Sequence, residues 1–221
     1  VAVVVFDALG TLLELEPVRR RFVDAGAPPG ALEAWVERIL HTGASLTLLG
    51  DFHPFAELAE STLPTVLAQA GLGPGERGPL EALREEIAPY RDAAAALDVL
   101  DGAGVEAWIL TNGADSGTRD ALRRGGLEDR ISGIVSIDDV RAFKPHRAAY
   151  AEAERRIDRA PDELWLIAAH AWDVLAGRTY GWHAVWIDRL ERAWPLPHDE
   201  PEHRASDLAS AARVVAAATR P

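Results

Sequence analysis

The sequence predicts an α/β protein, a doubly wound parallel sheet with a helical cap inserted after its first strand. Three observations predict it. Short, largely β-branched apolar runs recur along the chain, and each stops at a polar loop. Segments of helical spacing separate most of these runs, which is the alternation of a parallel sheet. One long stretch, from about Glu14 to Pro89, breaks that alternation and shows helical spacing only.

Taken in order, the first strand is expected over Val1 to Phe6, ending in Asp7-Ala8-Leu9-Gly10-Thr11. The inserted stretch follows. Leu32, Trp35, Val36, Ile39 and Leu40 recur at helical spacing, as do Phe55, Leu58, Ala59 and Leu63. Pro28-Pro29-Gly30 and Gly73-Pro74-Gly75 punctuate it, and no strand is expected inside it. The alternation then resumes. A helix over Ala93 to Leu100 leads into a strand over Val105 to Leu110, which stops at Thr111-Asn112-Gly113. A helix over Ser116 to Arg124 ends at Gly125-Gly126, and a strand over Ile134 to Ile137 runs into Asp138-Asp139. Past Lys144-Pro145 comes a helix over Arg147 to Arg156, then a strand over Leu164 to Ile167 ending at Ala168-Ala169-His170. Trp172 to Tyr180 is helical, and Ala184 to Ile187 is the last strand, running into Asp188-Arg189. Trp194 to His203, rich in Pro, His and acid, reads as a surface loop, and Ser206 to Thr219 as a final Ala-rich helix. This divides the chain into a core of residues 1–13 and 90–221 and a cap of residues 14–89.

Composition narrows the function. The 35 Asp and Glu outnumber the 23 Lys and Arg, for a net charge of -12. Such a surface repels phosphate backbones and anionic lipid, so neither nucleic acid nor membrane is an expected partner. Any anion site must be local, built from a few donors and cations. There is no cysteine, which excludes thiol catalysis and zinc–thiolate sites. No apolar run reaches the length of a membrane span, and the first residues enter a strand pattern without a basic leader; a cytoplasmic protein is expected.

The chemistry-bearing residues cluster at strand ends, where doubly wound sheets place their sites. Asp7 and Thr11 close the first strand, Thr111 and Asn112 the second, Lys144 follows the third, and His170 and Asp173 follow the fourth. Singly, each has a bland reading as a turn residue, a helix cap or a solvated lysine. Jointly, in this chain order, they would converge on one crevice.

That order resembles the haloacid dehalogenase superfamily. Its motifs are matched by Asp7-Ala8-Leu9-Gly10-Thr11-Leu12, by Ile109-Leu110-Thr111-Asn112-Gly113, by Phe143-Lys144-Pro145 and by Leu164 through Asp173. The resemblance spans essentially the whole chain and implies a Rossmann-like core with a cap after the first motif. Phosphatases of the superfamily carry an acid/base Asp two residues after the nucleophile and a Mg²⁺-binding carboxylate in the fourth motif. Here those positions are Leu9 and Ala169, which can neither move a proton nor bind a hard cation. The 2-haloacid dehalogenase branch fits better, through Thr111-Asn112-Gly113, Lys144-Pro145 with Tyr150, and His170-Ala171-Trp172-Asp173.

The resemblance implies a hydrolase with a small halogenated carboxylate as substrate, no metal, no cofactor, and a homodimeric assembly. Asp7 would displace halide and form an ester that water cleaves. Lys144 would keep Asp7 ionised, and Asp173 would position Lys144 or the water. Thr11 and Thr111 would donate to Asp7 or the substrate carboxylate, and Asn112 to the halide. Leu9, Tyr150 and Trp172 would shape the pocket. Two competing readings are a phosphatase of the same fold, and a HAD-like protein of unrelated substrate or weak activity.

Four departures bear on substrate binding. Leu9 stands where the branch has an aromatic residue, and Ala168 where it often has Ser. His170 stands where it often has Asn; donor, water-activating base and helix cap are its three readings. The branch grips its substrate with an Arg immediately after a cap Trp, but Val36 follows Trp35 here, with Arg38 two residues further on. Two helical residues are a rotation of about 200°, so either the register slips to bring Arg38 in or the substrate is gripped otherwise. Phe52, His53 and Phe55 are unassigned candidates for the pocket mouth.

Overall fold

The computed structural model describes residues 2–219. Val1, expected as the start of the first strand, lies outside the described residues. Strand β1 (Val3–Asp7) runs into a tight loop, then β2 (Leu13–Glu14). Four helices follow: α1 (Glu16–Asp24), α2 (Ala31–Leu48), α3 (Phe55–Gln69) and α4 (Gly78–Glu85). The chain returns through β3 (Ala88–Pro89) and α5 (Ala93–Gly102), then alternates: β4 (Glu106–Thr111), α6 (Asp115–Arg124), β5 (Gly133–Ser136), α7 (Arg147–Ile157), β6 (Leu164–Ala168), α8 (Ala171–Thr179) and β7 (His183–Ile187). It ends with β8 (His203–Ala205) and α9 (Leu208–Ala218).

The main sheet has the order β5-β4-β1-β6-β7-β8, and its strands all run parallel. From β1 the chain steps outward through β4 to β5, then crosses back to β6 and steps outward the other way. Right-handed crossovers therefore put α5 and α6 on one face and α7 and α8 on the other. The order reverses between β1 and β6, and doubly wound sheets open a ligand crevice at that reversal. β1 and β6 are buried along their whole length, which explains why they read as unbroken apolar runs.

Two details correct the sequence reading. β2 and β3 pair antiparallel, Leu13 with Pro89 and Glu14 with Ala88, as a ribbon joining the ends of the helical insertion, where no strand was expected. Strands of two residues are too short to show alternation. The second is β8, which adds a sixth strand beside β7 at the end of the stretch read as a surface loop. Only Ala205 of β8 is buried, so it carries almost no apolar signal.

The inserted helices bury their apolar faces in a hydrophobic core continuous with that of the sheet. Trp35 is fully buried, its indole N–H donates to the Ala59 carbonyl at 3.1 Å, and Phe22 meets it edge-on at 5.6 Å. Ile39, Leu63 and Leu67 are buried in the same hydrophobic cluster. Truncating such a Trp typically costs about 3–5 kcal/mol. The insertion also touches the loop that carries Lys144. A methyl group on Gly43 of α2 would lie 2.5 Å from the Phe143 ring, and the Thr47 hydroxyl accepts from the Phe143 backbone N–H at 3.0 Å. Only glycine lets the helix approach this closely.

Candidate active site

The loop after β1 turns sharply enough to leave Asp7 at the sheet edge. Gly10 has a φ of 79°, a conformation that favours glycine, and its N–H donates to the Leu13 carbonyl at 2.8 Å. Asp7 is 5 % exposed, and both its oxygens are engaged. Lys144 Nζ donates to Oδ1 at 2.8 Å. Thr11 Oγ1 donates to Oδ2 at 2.6 Å while accepting from the Ala169 backbone N–H at 2.9 Å. His170 Nδ1 lies 2.9 Å from Oδ2.

Lys144 is buried between two carboxylates. Its ammonium reaches Asp7, Asp173 Oδ2 at 2.7 Å and the Leu110 carbonyl at 3.0 Å, and it lies 5.7 Å from the centre of the Trp172 ring. The Asn112 side-chain oxygen accepts from the Lys144 backbone N–H at 2.9 Å and so fixes the loop. Asp173 also accepts from the Tyr150 hydroxyl. Tyr150 is fully buried behind Asp173 and is not among the residues lining the cleft. Its expected contact with substrate is replaced by one with a carboxylate that holds Lys144.

Electrostatics follow from this packing. Burial opposes ionisation of Asp7, but the charges of Lys144 and then His170, with their hydrogen bonds, more than offset it; its pKa falls well below the usual carboxylate range. Burial pulls Lys144 down, yet Asp173 and Asp7 raise it above its ordinary value. Asp173 goes up, chiefly through burial, with Asp7 adding repulsion and Lys144 offsetting part. Tyr150 is pushed well above the ordinary phenol value by burial and by Asp173, so it stays a donor. His170 is pulled down by burial but raised on balance by its hydrogen bond to Asp7 and by the charges of Asp7 and Asp173.

The cleft over Asp7 is narrow, about 20 Å³, and is lined by Leu9, Val36, Leu40, Phe55, Thr111, Asn112, His170 and Trp172. His170, Trp172, Val36 and Leu40 also line a wider cavity of about 320 Å³ with Glu14, Glu16, Arg19, Glu33, Glu37, Tyr90 and Glu191. Arg19 there is held by Glu33 at 3.1 Å and Glu16 at 3.3 Å. Thr111 Oγ1 accepts from the Gly113 N–H at 2.9 Å.

Arg38 is not brought into the site. Its guanidinium donates to Gln69 of α3 at 3.1 Å, because a rotation of two residues carries it away from the face that Val36 presents. Phe55 lines the cleft, but Phe52 packs on Phe143 at 6.1 Å and His53 pairs with Glu57 at 2.8 Å. Sequence reasoning missed the site-side role of Val36 and Leu40, although their i,i+4 spacing marked one helix stripe. It also missed Glu191, whose carboxylate accepts from the Ala171 N–H at 3.0 Å; nothing local in the sequence signals that contact.

The description "haloacid dehalogenase-like hydrolase" matches residues 1–181. The chain belongs to this family of hydrolases. Within it, the chain is 31% identical over 210 residues to (S)-2-haloacid dehalogenase 1 of Pseudomonas sp. (strain CBS-3), covering 92% of each protein. The fold superposes on that of the L-2-haloacid dehalogenase from Xanthobacter autotrophicus with a TM-score of 0.84 at 25% identity, covering 97% of this chain and 98% of that one. It also superposes on a dehalogenase solved with an intermediate complex, with a TM-score of 0.87 at 26% identity, covering 97% and 96%. Among the described residues no helix is long and apolar enough to cross a membrane.

Proposed function

We propose that this hydrolase is a 2-haloacid dehalogenase that displaces halide through an aspartyl ester on Asp7, which water then hydrolyses. The observation that carries the reading is the state of Asp7: a carboxylate kept ionised in a nearly closed cleft, with Lys144, Thr11 and His170 on its oxygens. A desolvated carboxylate held at a fixed angle is a nucleophile for a saturated carbon. The leaving group departs as an anion and needs no protonation at carbon. Leu9 offers no proton to a phosphate ester, and Ala169 offers no side-chain carboxylate to a divalent ion. The positive charge between Asp7 and Asp173 is the Lys144 ammonium.

In this reading Lys144 orients Asp7, and Asp173 with Tyr150 behind it positions Lys144. Asn112 and Trp172 face the halide, Thr111 and Leu9 the body of the substrate, and helices α1–α4 act as a cap that excludes water. The test is halide release from 2-chloropropionate with a chelator present. Turnover that survives chelation and is lost in Asp7→Asn is the expected result. Hydrolysis of phosphate esters that requires Mg²⁺, without halide release, would restore the phosphatase reading. Light scattering tests the homodimer.

A further inference from the structure

His170 occupies the residue position that caps α8, yet its side chain does not cap the helix. The first N–H of the helix, that of Ala171, donates to Glu191, at 3.0 and 3.2 Å to its two oxygens. The imidazole turns away, onto the nucleophile, with Nδ1 2.9 Å from Asp7 Oδ2. Its other edge faces the opposite way: a methyl group on Gly10 would meet Cε1 at 3.3 Å and Nε2 at 3.6 Å. The ring lines both the narrow cleft over Asp7 and the wider cavity. It is therefore a partition, with one nitrogen on the reacting carboxylate and the other on the larger space.

We propose that His170 carries the proton of the reaction, losing it from Nδ1 as halide departs and regaining it at Nδ1 from the water that cleaves the Asp7 ester. This deepens the dehalogenase reading and rests on it. In the free enzyme the imidazolium pairs with the Asp7 carboxylate. When an Asp7 oxygen bonds to the substrate carbon, the carbon–halogen bond breaks and its electron pair leaves with halide. Asp7 is then a neutral ester, and His170 has lost the charge that held its proton. The Nδ1 proton passes to solvent water as the halide departs, while Nε2, on the side of Gly10, keeps its own. Water next attacks the ester carbonyl carbon. One water proton goes to Nδ1, the other to the alkoxide oxygen released when the acyl–oxygen bond breaks. Asp7 returns as a carboxylate, His170 as an imidazolium, and the net products are the 2-hydroxy acid, halide and one proton.

The charges facing the ring suit this cycle. Asp7 comes from β1, Lys144 from the loop before α7, Asp173 from α8 and Glu191 from the loop after β7; the wider cavity adds Glu14, Glu16, Arg19, Glu33, Glu37 and Tyr90. Only Asp7 changes charge during the cycle, so its esterification is the event that releases the proton. Asp173, already bonded to Lys144 and Tyr150, is less free to act as the base.

The experiment is a rapid-quench comparison of wild type and His170→Asn with 2-chloropropionate, read by halide release and intact-protein mass. Asparagine can still donate to Asp7 but cannot take up a proton. The expected result is a stoichiometric burst of halide, accumulation of the Asp7 ester, and turnover slowed by about a hundredfold or more. In wild type, decay of the ester should quicken with rising pH across the range where imidazole titrates, and the variant should lose that dependence. Wild-type turnover in His170→Asn with no trapped ester overturns the inference alone. So does loss of the halide burst in a variant that melts like wild type, since His170 would then act in the first step. A flat pH profile for wild-type ester decay overturns it without any variant. A wild type that releases no halide overturns the dehalogenase reading and this inference with it.

Discussion

The strand-end floor of the cleft sets two carboxylates, an ammonium and an imidazole in one hydrogen-bonded group, whereas the helical roof contributes Val36, Leu40 and Phe55. The floor hangs on parallel strands whose backbones are fixed by neighbours on both sides, so its charges hold their geometry without solvent. The roof adds no charge at the narrow cleft. Its effect is to lower the local dielectric, which strengthens each pairing beneath it. The two regions meet where Gly43 and Thr47 of α2 hold Phe143, the residue next to Lys144. The comparison teaches that charge and desolvation come from separate chain segments and can be perturbed separately.

The largest expected effect lies on the floor. Asp7→Asn should abolish halide release while leaving the fold intact, as measured by ion chromatography and a denaturant melt; residual steady turnover would move the nucleophile elsewhere. Lys144→Ala should lower kcat/KM by on the order of 3 kcal/mol of transition-state stabilisation. It also leaves Asp7 and Asp173 buried and facing each other, so the same melts should show a loss of about 3–5 kcal/mol. If the melt is unchanged, the floor is wetter than its geometry implies.

At the junction, Gly43→Val forces a side chain into the Phe143 ring. The expected cost is about 1–3 kcal/mol in stability, with a fall in kcat as the Lys144 loop shifts. A drop in stability with unchanged kcat would show that the roof does not set the position of Lys144. On the roof itself, Val36→Arg brings a cation over the floor and should lower KM for a 2-halocarboxylate by about tenfold, or roughly 1.4 kcal/mol. An unchanged KM would mean that the substrate carboxylate lies away from α2.

The smallest effect is on stability against pH. The folded-state pKa of His170 is raised above its ordinary 6.5, so the native protein binds more protons than the unfolded chain in that window. That stabilisation is complete below 6.5 and is lost as pH rises through the higher folded value. Thermal melts of wild type should fall across that window, and the fall should be absent in His170→Asn.

Much of this was legible in the chain alone. Apolar runs buried on both faces announced β1 and β6, and the polar residue ending each run named Asp7 and the residues around His170. The order of these strand ends brought Asp7, Thr111, Lys144 and Asp173 to one crevice, because chain order and crossover handedness leave a parallel sheet few alternatives. Leu9 and Ala169 likewise spoke for themselves, since apolar side chains neither ligate a cation nor move a proton.

What only the tertiary structure decided were contacts between segments far apart in sequence. Val36 and Arg38 share one helix, but only the packing of α2 against α3 sends Arg38 to Gln69 and leaves Val36 over the cleft. Tyr150 is a motif residue whose partner turned out to be Asp173, Glu191 reaches the Ala171 N–H from the loop after β7, and His170 turns from its own helix to Asp7. Periodicity reports that a face is buried, not against what. A side chain's hydrogen-bond partner depends on sheet order and on which competitor reaches the donor first, and neither is written in local sequence.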